Sequence, residues 1–164
     1  MTVQSSDYPP TTEAAFARLR TVKHPSIDDL KLVVLLEAAG QGFYEGLAEA
    51  APNEAIKRVF QKNGREETGH AHRVRRVIKL LFDEDVPMPS NESNPFCKVP
   101  ATKPVVNRET LDAIVKGELD SDVWYQGWAD GIANEEAARL LRQNGKEEAG
   151  HSVRVKEAIE LLDS

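Results

Sequence analysis

Apolar and small residues recur at three- and four-residue steps in four stretches of the chain, which is the spacing of one face of an α-helix. Each stretch follows a residue that suits a helix N-cap. The first stretch also has Asp29 three residues after its N-cap serine, in the manner of a capping box. These patterns predict four long helices at about residues 27–51, 54–82, 108–132 and 135–163, with N-caps at Ser26, Asn53, Asn107 and Asn134.

The second pair of predicted helices repeats the first at an offset of 81 residues. Residues 30–81 align with residues 111–162 without a gap, and 20 of the 52 aligned pairs are identical. Two copies of a long unit are not a solenoid, which needs three or more repeats. The pattern therefore predicts a duplicated helical hairpin and an all-α fold.

The segment between the two hairpins contains five prolines, which argue against a helix there: Pro87, Pro89, Pro95, Pro100 and Pro104. Extended, residues 83–107 are long enough to run the length of the bundle and to start the third helix parallel to the second. This predicts a four-helix bundle at 26–164, made of hairpin 26–82, crossover 83–107 and hairpin 108–164. Residues 1–25 form an N-terminal extension, in which 12–20 suit a short helix with Phe16 and Leu19 on one side.

Each copy carries one glutamate on its first helix and a Glu-x-x-His motif 30 residues later on its second helix. The motifs lie in KNGREETGH at 62–70 and QNGKEEAGH at 143–151. All these side chains continue the apolar stripes, so they are predicted to point inward. Two glutamates and two Glu-x-x-His motifs on four helices are the ligand set of a di-iron or di-manganese carboxylate site. The candidate metal ligands are Glu37, Glu67, His70, Glu118, Glu148 and His151.

The charge of these residues supports the same interpretation. Four ionised carboxylates inside one bundle repel each other and lose solvation, whereas two divalent cations balance their charge. Oxygen-rich ligation with one histidine per metal suits iron or manganese better than structural zinc. The alternative is a structural bundle with exposed glutamates and ordinary core histidines. Repetition of both motifs in register favours the metal site.

Tyr44 and Tyr125 lie two turns after the first glutamate of each copy, on the same face. They are predicted to hydrogen-bond the carboxylates or to serve in electron transfer, and the alternative is a pair of core aromatics. Gln41 and Asp122, one turn after those glutamates, are predicted to hydrogen-bond the metal ligands.

Other residues of the four helices are predicted to lie outside the set of metal ligands. Glu66 and Glu147 precede Glu67 and Glu148 and are placed on an outward face, so their replacement by alanine is expected to be mild. Trp124 and Trp128 are interpreted as core or interface residues rather than redox relays. Two pairs of helical glycines suggest close helix approach, although duplication alone would also repeat them: Gly64 with Gly145, and Gly69 with Gly150.

Composition narrows the class of protein. The 164 residues are 40% hydrophobic and 29% charged, with a net charge of -6, which fits one acidic globular domain. The sequence has no basic stripe, so nucleic-acid binding is not expected. The sequence has neither a membrane-length apolar run nor a signal-peptide pattern, and its single cysteine, Cys97, excludes an internal disulfide. A cytoplasmic protein is expected.

Residues 27–163 resemble the ferritin-like di-iron superfamily, and within it the rubrerythrin-like and bacterioferritin-like proteins. The resemblance implies that Glu67 and Glu148 bridge the two metals. It also implies that Glu37 with His70 completes one metal and that Glu118 with His151 completes the other. Rubrerythrins usually carry a rubredoxin domain with four cysteines and a further glutamate three residues after the third-helix ligand. This sequence ends at Ser164, has one cysteine and has Ser121 at that position.

The resemblance implies a non-haem di-iron oxidoreductase that reduces O₂ or hydrogen peroxide. Its cofactor is then two iron ions, with manganese or a mixed pair as alternatives, and its electrons come from a separate donor protein. A homo-oligomer such as a dimer is expected. The alternatives are a ferroxidase or iron-storage protein and a structural metal-binding bundle. A storage shell is not expected, because no fifth helix follows the fourth.

Overall fold

The computed structural model describes residues 8–97 and 104–163. Residues 1–7 of the N-terminal extension, residues 98–103 of the crossover with Pro100, and Ser164 lie outside the described residues. The described residues form helices and no strand, which confirms the all-α prediction. The helices are α1 (Thr12–Leu19), α2 (Ile27–Ala50), α3 (Glu54–Phe82), α4 (Arg108–Asp130) and α5 (Glu135–Leu162), and a 3₁₀ turn lies at Pro95–Cys97.

The N-caps of the four long helices are those that the sequence predicts. Ser26 and Asp29 form a capping box, in which the Asp29 carboxylate accepts a hydrogen bond from the Ser26 backbone N–H. The asparagines before α3, α4 and α5 each accept a hydrogen bond from the backbone N–H three residues later. The one clear difference is the end of α4, which stops at Asp130 rather than at 132. Gly131 follows Asp130, and glycine is a poor helix former.

Contacts between side chains define the directions of the helices. Asn63 of α3 accepts a hydrogen bond from Arg154 of α5 at 2.6 Å. Further along α3, Arg76 pairs with Glu136 near the start of α5. These two contacts show that α3 and α5 are antiparallel. Since α4 and α5 of the second hairpin are antiparallel as well, α3 and α4 run in the same direction. This is the bundle with one long crossover that the proline-rich segment predicts.

The described parts of the crossover lie along α2. They meet this helix at three levels in chain order, through the pairs Glu84 with Lys31, Asn94 with Leu35, and Pro104 with Gly46. The Asn94 side-chain amide donates to the Leu35 carbonyl at 2.7 Å. At the other end of the chain, the guanidinium of Arg18 on α1 donates to Asp29 at 2.6 Å and fixes the short helix to the start of α2.

The core consists of two apolar clusters with a polar layer between them. One cluster contains Leu30, Val33, Val74, Trp128 and Leu141 with their neighbours, and α1 packs on it. The other is built around Leu47, Phe60, Leu111, Val155 and Ile159. The predicted metal ligands occupy the helix positions between these two sets, so the fold encloses them midway along the bundle.

Candidate di-metal centre

Six side chains from the four long helices meet in the polar layer between the two apolar clusters. They form two overlapping groups: Glu37, Glu67, His70 and Glu148 in one, and Glu67, Glu118, Glu148 and His151 in the other. Within each group the candidate ligand atoms all lie within 4.8 Å of one another. We call these six residues the carboxylate–imidazole cluster. They are the six that the sequence predicts.

Two carboxylates of the cluster reach both imidazoles. Glu67 places Oε1 3.2 Å from Nδ1 of His151 and Oε2 3.9 Å from Nδ1 of His70. Glu148 does the converse, with Oε1 3.2 Å from His70 and Oε2 3.3 Å from His151. Each of these two carboxylates therefore offers one oxygen to each imidazole.

The other two carboxylates each face a single imidazole. Glu37 Oε2 lies 3.3 Å from Nδ1 of His70, and Glu118 Oε2 lies 3.5 Å from Nδ1 of His151. Each half of the cluster therefore offers one terminal carboxylate, one imidazole and a share of two bridging carboxylates.

The two histidines present their Nδ1 atoms to the cluster. Nε2 of His70 lies 3.1 Å from Glu147, and Nε2 of His151 lies 3.1 Å from Glu66. These carboxylates accept the Nε2–H, so Nδ1 is the atom of each ring that is left to bind a metal. Both Nδ1 atoms are buried and have no hydrogen-bond partner among the described residues, although carboxylate oxygens surround them. A buried nitrogen without a hydrogen bond is costly, and a metal ion among these oxygens would satisfy it.

The position of Glu66 and Glu147 corrects the sequence analysis, which placed both on an outward face. Each reaches across to the histidine of the other hairpin. Arg154 pairs with Glu66, and Arg73 pairs with Glu147. The same guanidinium groups donate to Asn63 and Asn144, whose amides donate to the backbone carbonyls of His151 and His70. The glutamates therefore belong to the support of the site, and a mild effect of their removal is no longer expected.

A signal for this network is present in the sequence. The pattern Asn-x-x-Glu-Glu-x-x-His-x-x-Arg occurs at 63–73 and again at 144–154. Its asparagine, first glutamate and arginine are conserved between the copies together with the ligands. The helical stripe could not reveal their partners, because those partners lie on the other hairpin.

Both tyrosine hydroxyls also bond across the hairpins. Tyr125 donates to Oε1 of Glu37 at 2.5 Å, and Tyr44 donates to Glu118. Burial, followed by the charge of the carboxylate that it contacts, raises the pKa of each phenol well above its ordinary value. Both tyrosines are therefore neutral donors that hold the terminal carboxylates. A role in electron transfer stays a prediction.

The carboxylates of the cluster have pKa values that move apart. Burial, and then the charge of Glu118, raises the pKa of Glu148 to about 8, and burial with the charge of Glu148 raises that of Glu67. Burial opposes ionisation of Glu37 as well, but its close contact with the His70 imidazole holds its pKa below the ordinary value. Positive metal charge would keep all these groups ionised, because an opposite charge nearby favours the charged form.

Gln41 and Asp122 make their hydrogen bonds outside the cluster. Gln41 accepts from the Thr68 hydroxyl at 2.6 Å and donates to Glu45 at 2.8 Å. Asp122 accepts from Gln126 at 3.0 Å. Their predicted hydrogen bonds to the metal ligands are not among these contacts and stay a prediction.

One residue beside the cluster was missed from the sequence. Gly40 faces Glu67 so closely that a Cβ atom on it would lie 2.7 Å from Oε2 of that carboxylate. The absence of a side chain at position 40 therefore leaves room for the Glu67 carboxylate. Its counterpart in the second copy is Ser121, which is buried.

Among known protein families, the family model described as Rubrerythrin matches residues 30–159. No curated protein and no solved structure gives a significant match. The matched range includes all six residues of the carboxylate–imidazole cluster.

Proposed function

Because this chain belongs to the rubrerythrin family, we propose that the carboxylate–imidazole cluster binds two iron ions and that the protein reduces hydrogen peroxide or O₂. The observation that carries this proposal is the division of the Glu67 and Glu148 oxygens between two imidazoles whose Nδ1 atoms lack hydrogen bonds. Such a donor set suits a pair of hard divalent cations. Manganese or a mixed pair is compatible with the same donors.

Two bound iron ions would supply two electrons, Lewis acidity and a template for the oxygens of the substrate. Glu37 and His70 would hold one ion, Glu118 and His151 the other, and Glu67 and Glu148 would bridge them. The remaining work belongs to the surrounding residues, which orient these ligands.

The surrounding residues fix the ligands in three ways. The tyrosines hold the terminal carboxylates through their hydroxyls. Glu66 and Glu147 hold the imidazoles with their Nδ1 atoms toward the metals. The two apolar clusters exclude water from both sides of the layer, which strengthens every electrostatic interaction within it.

The partners follow from this chemistry. Reduction of peroxide or O₂ consumes electrons, and we propose that a separate donor protein supplies them in the cytoplasm. A homodimer is supported by Leu119 and Val123, which lie one turn apart on α4 and are both exposed. None of the described helices is long and apolar enough to cross a membrane.

A ferroxidase or iron-storage role is the second candidate. It is favoured by Ser121, which stands where rubrerythrins have a further glutamate, so that a peroxidase cycle depending on that carboxylate lacks one group. A storage role predicts a very large assembly, and gel filtration separates it from a dimer.

The test begins with anaerobic titration of the purified full chain with Fe(II). Two ions per chain are expected, one for each group of ligands. Binding of fewer than one ion would overturn the proposal. Stopped-flow mixing of the Fe(II) form with peroxide and with O₂ then measures the two rates. A fast reaction with either supports the redox role, and no reaction with both contradicts it.

A further inference from the structure

Three aromatic side chains of α4 lie in contact beside the cluster. The ring centroids of Trp124 and Tyr125 are 4.1 Å apart, and those of Trp124 and Trp128 are 4.5 Å apart. All three belong to the apolar cluster that α1 covers. The expectation that the tryptophans are core residues is therefore correct as far as packing goes.

This aromatic group is connected to the carboxylate–imidazole cluster by one hydrogen bond. The Tyr125 hydroxyl donates to Oε1 of Glu37, which lies in the ligand group of His70. Trp124, Tyr125 and Glu37 thus form a continuous line from the outer part of α4 to the polar layer. Trp124 is 6% exposed, whereas Tyr125 is fully buried and Trp128 is 1% exposed, so the line reaches the surface at Trp124.

The indole of Trp124 has a feature that packing does not explain. Its Nε1–H is buried and has no hydrogen-bond partner among the described residues, whereas the Trp128 indole donates to the Val22 carbonyl at 2.8 Å. A buried donor without a partner is destabilising. Phenylalanine has no such donor, and the first copy has Phe43 at the corresponding position. A redox role is one reason to retain such a group.

We propose that Trp124 and Tyr125 form a one-electron relay between the protein surface and the di-metal centre. This inference rests on the proposed function of the centre. The relay is confined to the second hairpin. In the first hairpin Tyr44 contacts Phe43 and Phe60, and neither phenylalanine ring is readily oxidised.

The relay step balances without a further reagent beyond peroxide and the donor. After peroxide has oxidised the centre, Tyr125 gives it one electron, and the phenol proton passes along the existing hydrogen bond to Glu37. Trp124 then gives one electron to the tyrosyl radical, and the proton returns from Glu37 to the phenolate oxygen. The net change is one electron from Trp124 to the centre. A one-electron donor at the surface restores Trp124.

Laser-flash oxidation tests the contact without any turnover at the centre. The full chain is loaded with zinc, which has no redox chemistry, and a ruthenium photooxidant in solution oxidises the indole of Trp124, which is 6% exposed. In the wild type, the tryptophan radical is expected to decay as a tyrosyl signal rises. Tyr125→Phe, which removes only a hydroxyl, is expected to lose that rise. The matched Tyr44→Phe is expected to keep it.

This experiment tests the relay independently of the proposed function. A tyrosyl signal that is absent from the wild type, or unchanged in Tyr125→Phe, overturns the relay. A chain that binds no zinc is measured metal-free, and the same comparison of variants applies. Failure of the proposed function appears instead as missing iron or as no reaction with peroxide.

Peroxide treatment of the iron-loaded chain without a donor tests the relay in its working direction. Mass spectrometry of the digested protein is expected to find oxygen added at Trp124 in the wild type and in Tyr44→Phe. The modification, counted per iron ion bound by each protein, is expected to be lost in Tyr125→Phe. Equal modification in the three proteins, or none at Trp124, contradicts the relay.

Discussion

Each of the two hairpins carries the same three candidate ligands, but the hairpins differ in what surrounds them. Glu37, Glu67 and His70 of the first correspond to Glu118, Glu148 and His151 of the second, residue for residue. Around these ligands the first hairpin has Phe43, whereas the second has Trp124. The candidate ligands are therefore common to the two hairpins, whereas the aromatic residue beside them differs, and the roles of the two hairpins can diverge there.

The comparison also shows that neither hairpin supports its own ligands. The tyrosine of each hairpin holds the terminal glutamate of the other. The glutamate before each bridging residue holds the imidazole of the other hairpin. A single hairpin therefore contains ligands without the groups that orient them. The candidate ligands and the groups that orient them come together only because the two copies pack face to face.

Removal of either bridging carboxylate is the strongest test of the equivalence of the two hairpins. Glu67→Ala and Glu148→Ala should each abolish the binding of two metal ions, because each carboxylate serves both metal positions. Metal analysis after anaerobic loading measures this loss. Alanine at the exposed Glu49 and Glu160 provides the control and should leave binding unchanged. Retention of two ions in either bridging variant would show that the ligand assignment is wrong.

The support across the hairpins predicts the next largest effect. Glu66→Gln and Glu147→Gln should weaken metal affinity by about 10–100-fold, the usual effect of losing a group that orients a metal-bound histidine. Competition with a chelator of known affinity measures the change. Because each glutamate contacts the histidine of the opposite hairpin, Glu66→Gln should perturb the His151 position and Glu147→Gln the His70 position.

One further variant makes that test specific. The control Glu45→Gln changes a carboxylate that accepts a hydrogen bond from Gln41, outside the carboxylate–imidazole cluster, and it should not change metal affinity. Wild-type affinity in both Glu66→Gln and Glu147→Gln would restore the first interpretation, in which these side chains serve only the surface.

Proton competition predicts that metal binding depends on pH. In the metal-free protein the pKa of Glu148 is raised to about 8 and that of His151 to about 12, where burial opposes the charge of His151 but its close contacts with Glu118 and other carboxylates favour it. Metal must displace these protons, so affinity falls as pH falls. Below about pH 8, Glu148 is protonated as well as His151. A bound metal must then displace both protons, so metal affinity depends more steeply on pH.

Titration with metal at several pH values between 6 and 9 measures this slope as protons released per ion bound. The raised pKa of Glu67 acts in the same direction. Affinity that rises as pH falls would contradict the direction of these shifts.

The sequence could predict the ligands better than their partners, and the reason is geometric. A helical stripe divides positions into inward and outward, which is sufficient for Glu67 and His70 because they point to the centre of the bundle. Glu66 is one residue, or about 100°, round the helix from Glu67, and it faces the neighbouring helix α5 rather than solvent. The residue that Glu66 contacts there depends on how α5 is rotated about its own axis. The sequence pattern of α3 does not define that rotation.

Helix boundaries were predicted well for a similar reason. The caps Ser26, Asn53, Asn107 and Asn134 act through hydrogen bonds three residues away in the same chain segment. The indole of Trp124 shows the limit, because its contact with Tyr125 is local, whereas its lack of a hydrogen-bond partner depends on every neighbouring element.

The smallest expected effect separates the two kinds of repeated glycine. A Cβ at Gly64 would lie 3.0 Å from Cβ of Tyr44, and one at Gly145 would lie 3.1 Å from Cβ of Tyr125, so close helix approach is confirmed for this pair. At Gly69 and Gly150 the nearest atoms are mobile arginine nitrogens at 3.5 and 3.4 Å, so the prediction of close approach is wrong for the second pair.

Alanine should therefore have opposite effects on stability in the two pairs. Gly64→Ala and Gly145→Ala should lower the free energy of unfolding by about 1–3 kcal/mol, because the tyrosine helix has to shift. Gly69→Ala and Gly150→Ala should raise it by up to roughly 1 kcal/mol, since alanine favours the helix. Thermal unfolding of the metal-free variants measures both effects. If all four substitutions were stabilising, the glycines would be a relic of duplication, and the tight contact at the tyrosines would have no role in holding the two hairpins in register.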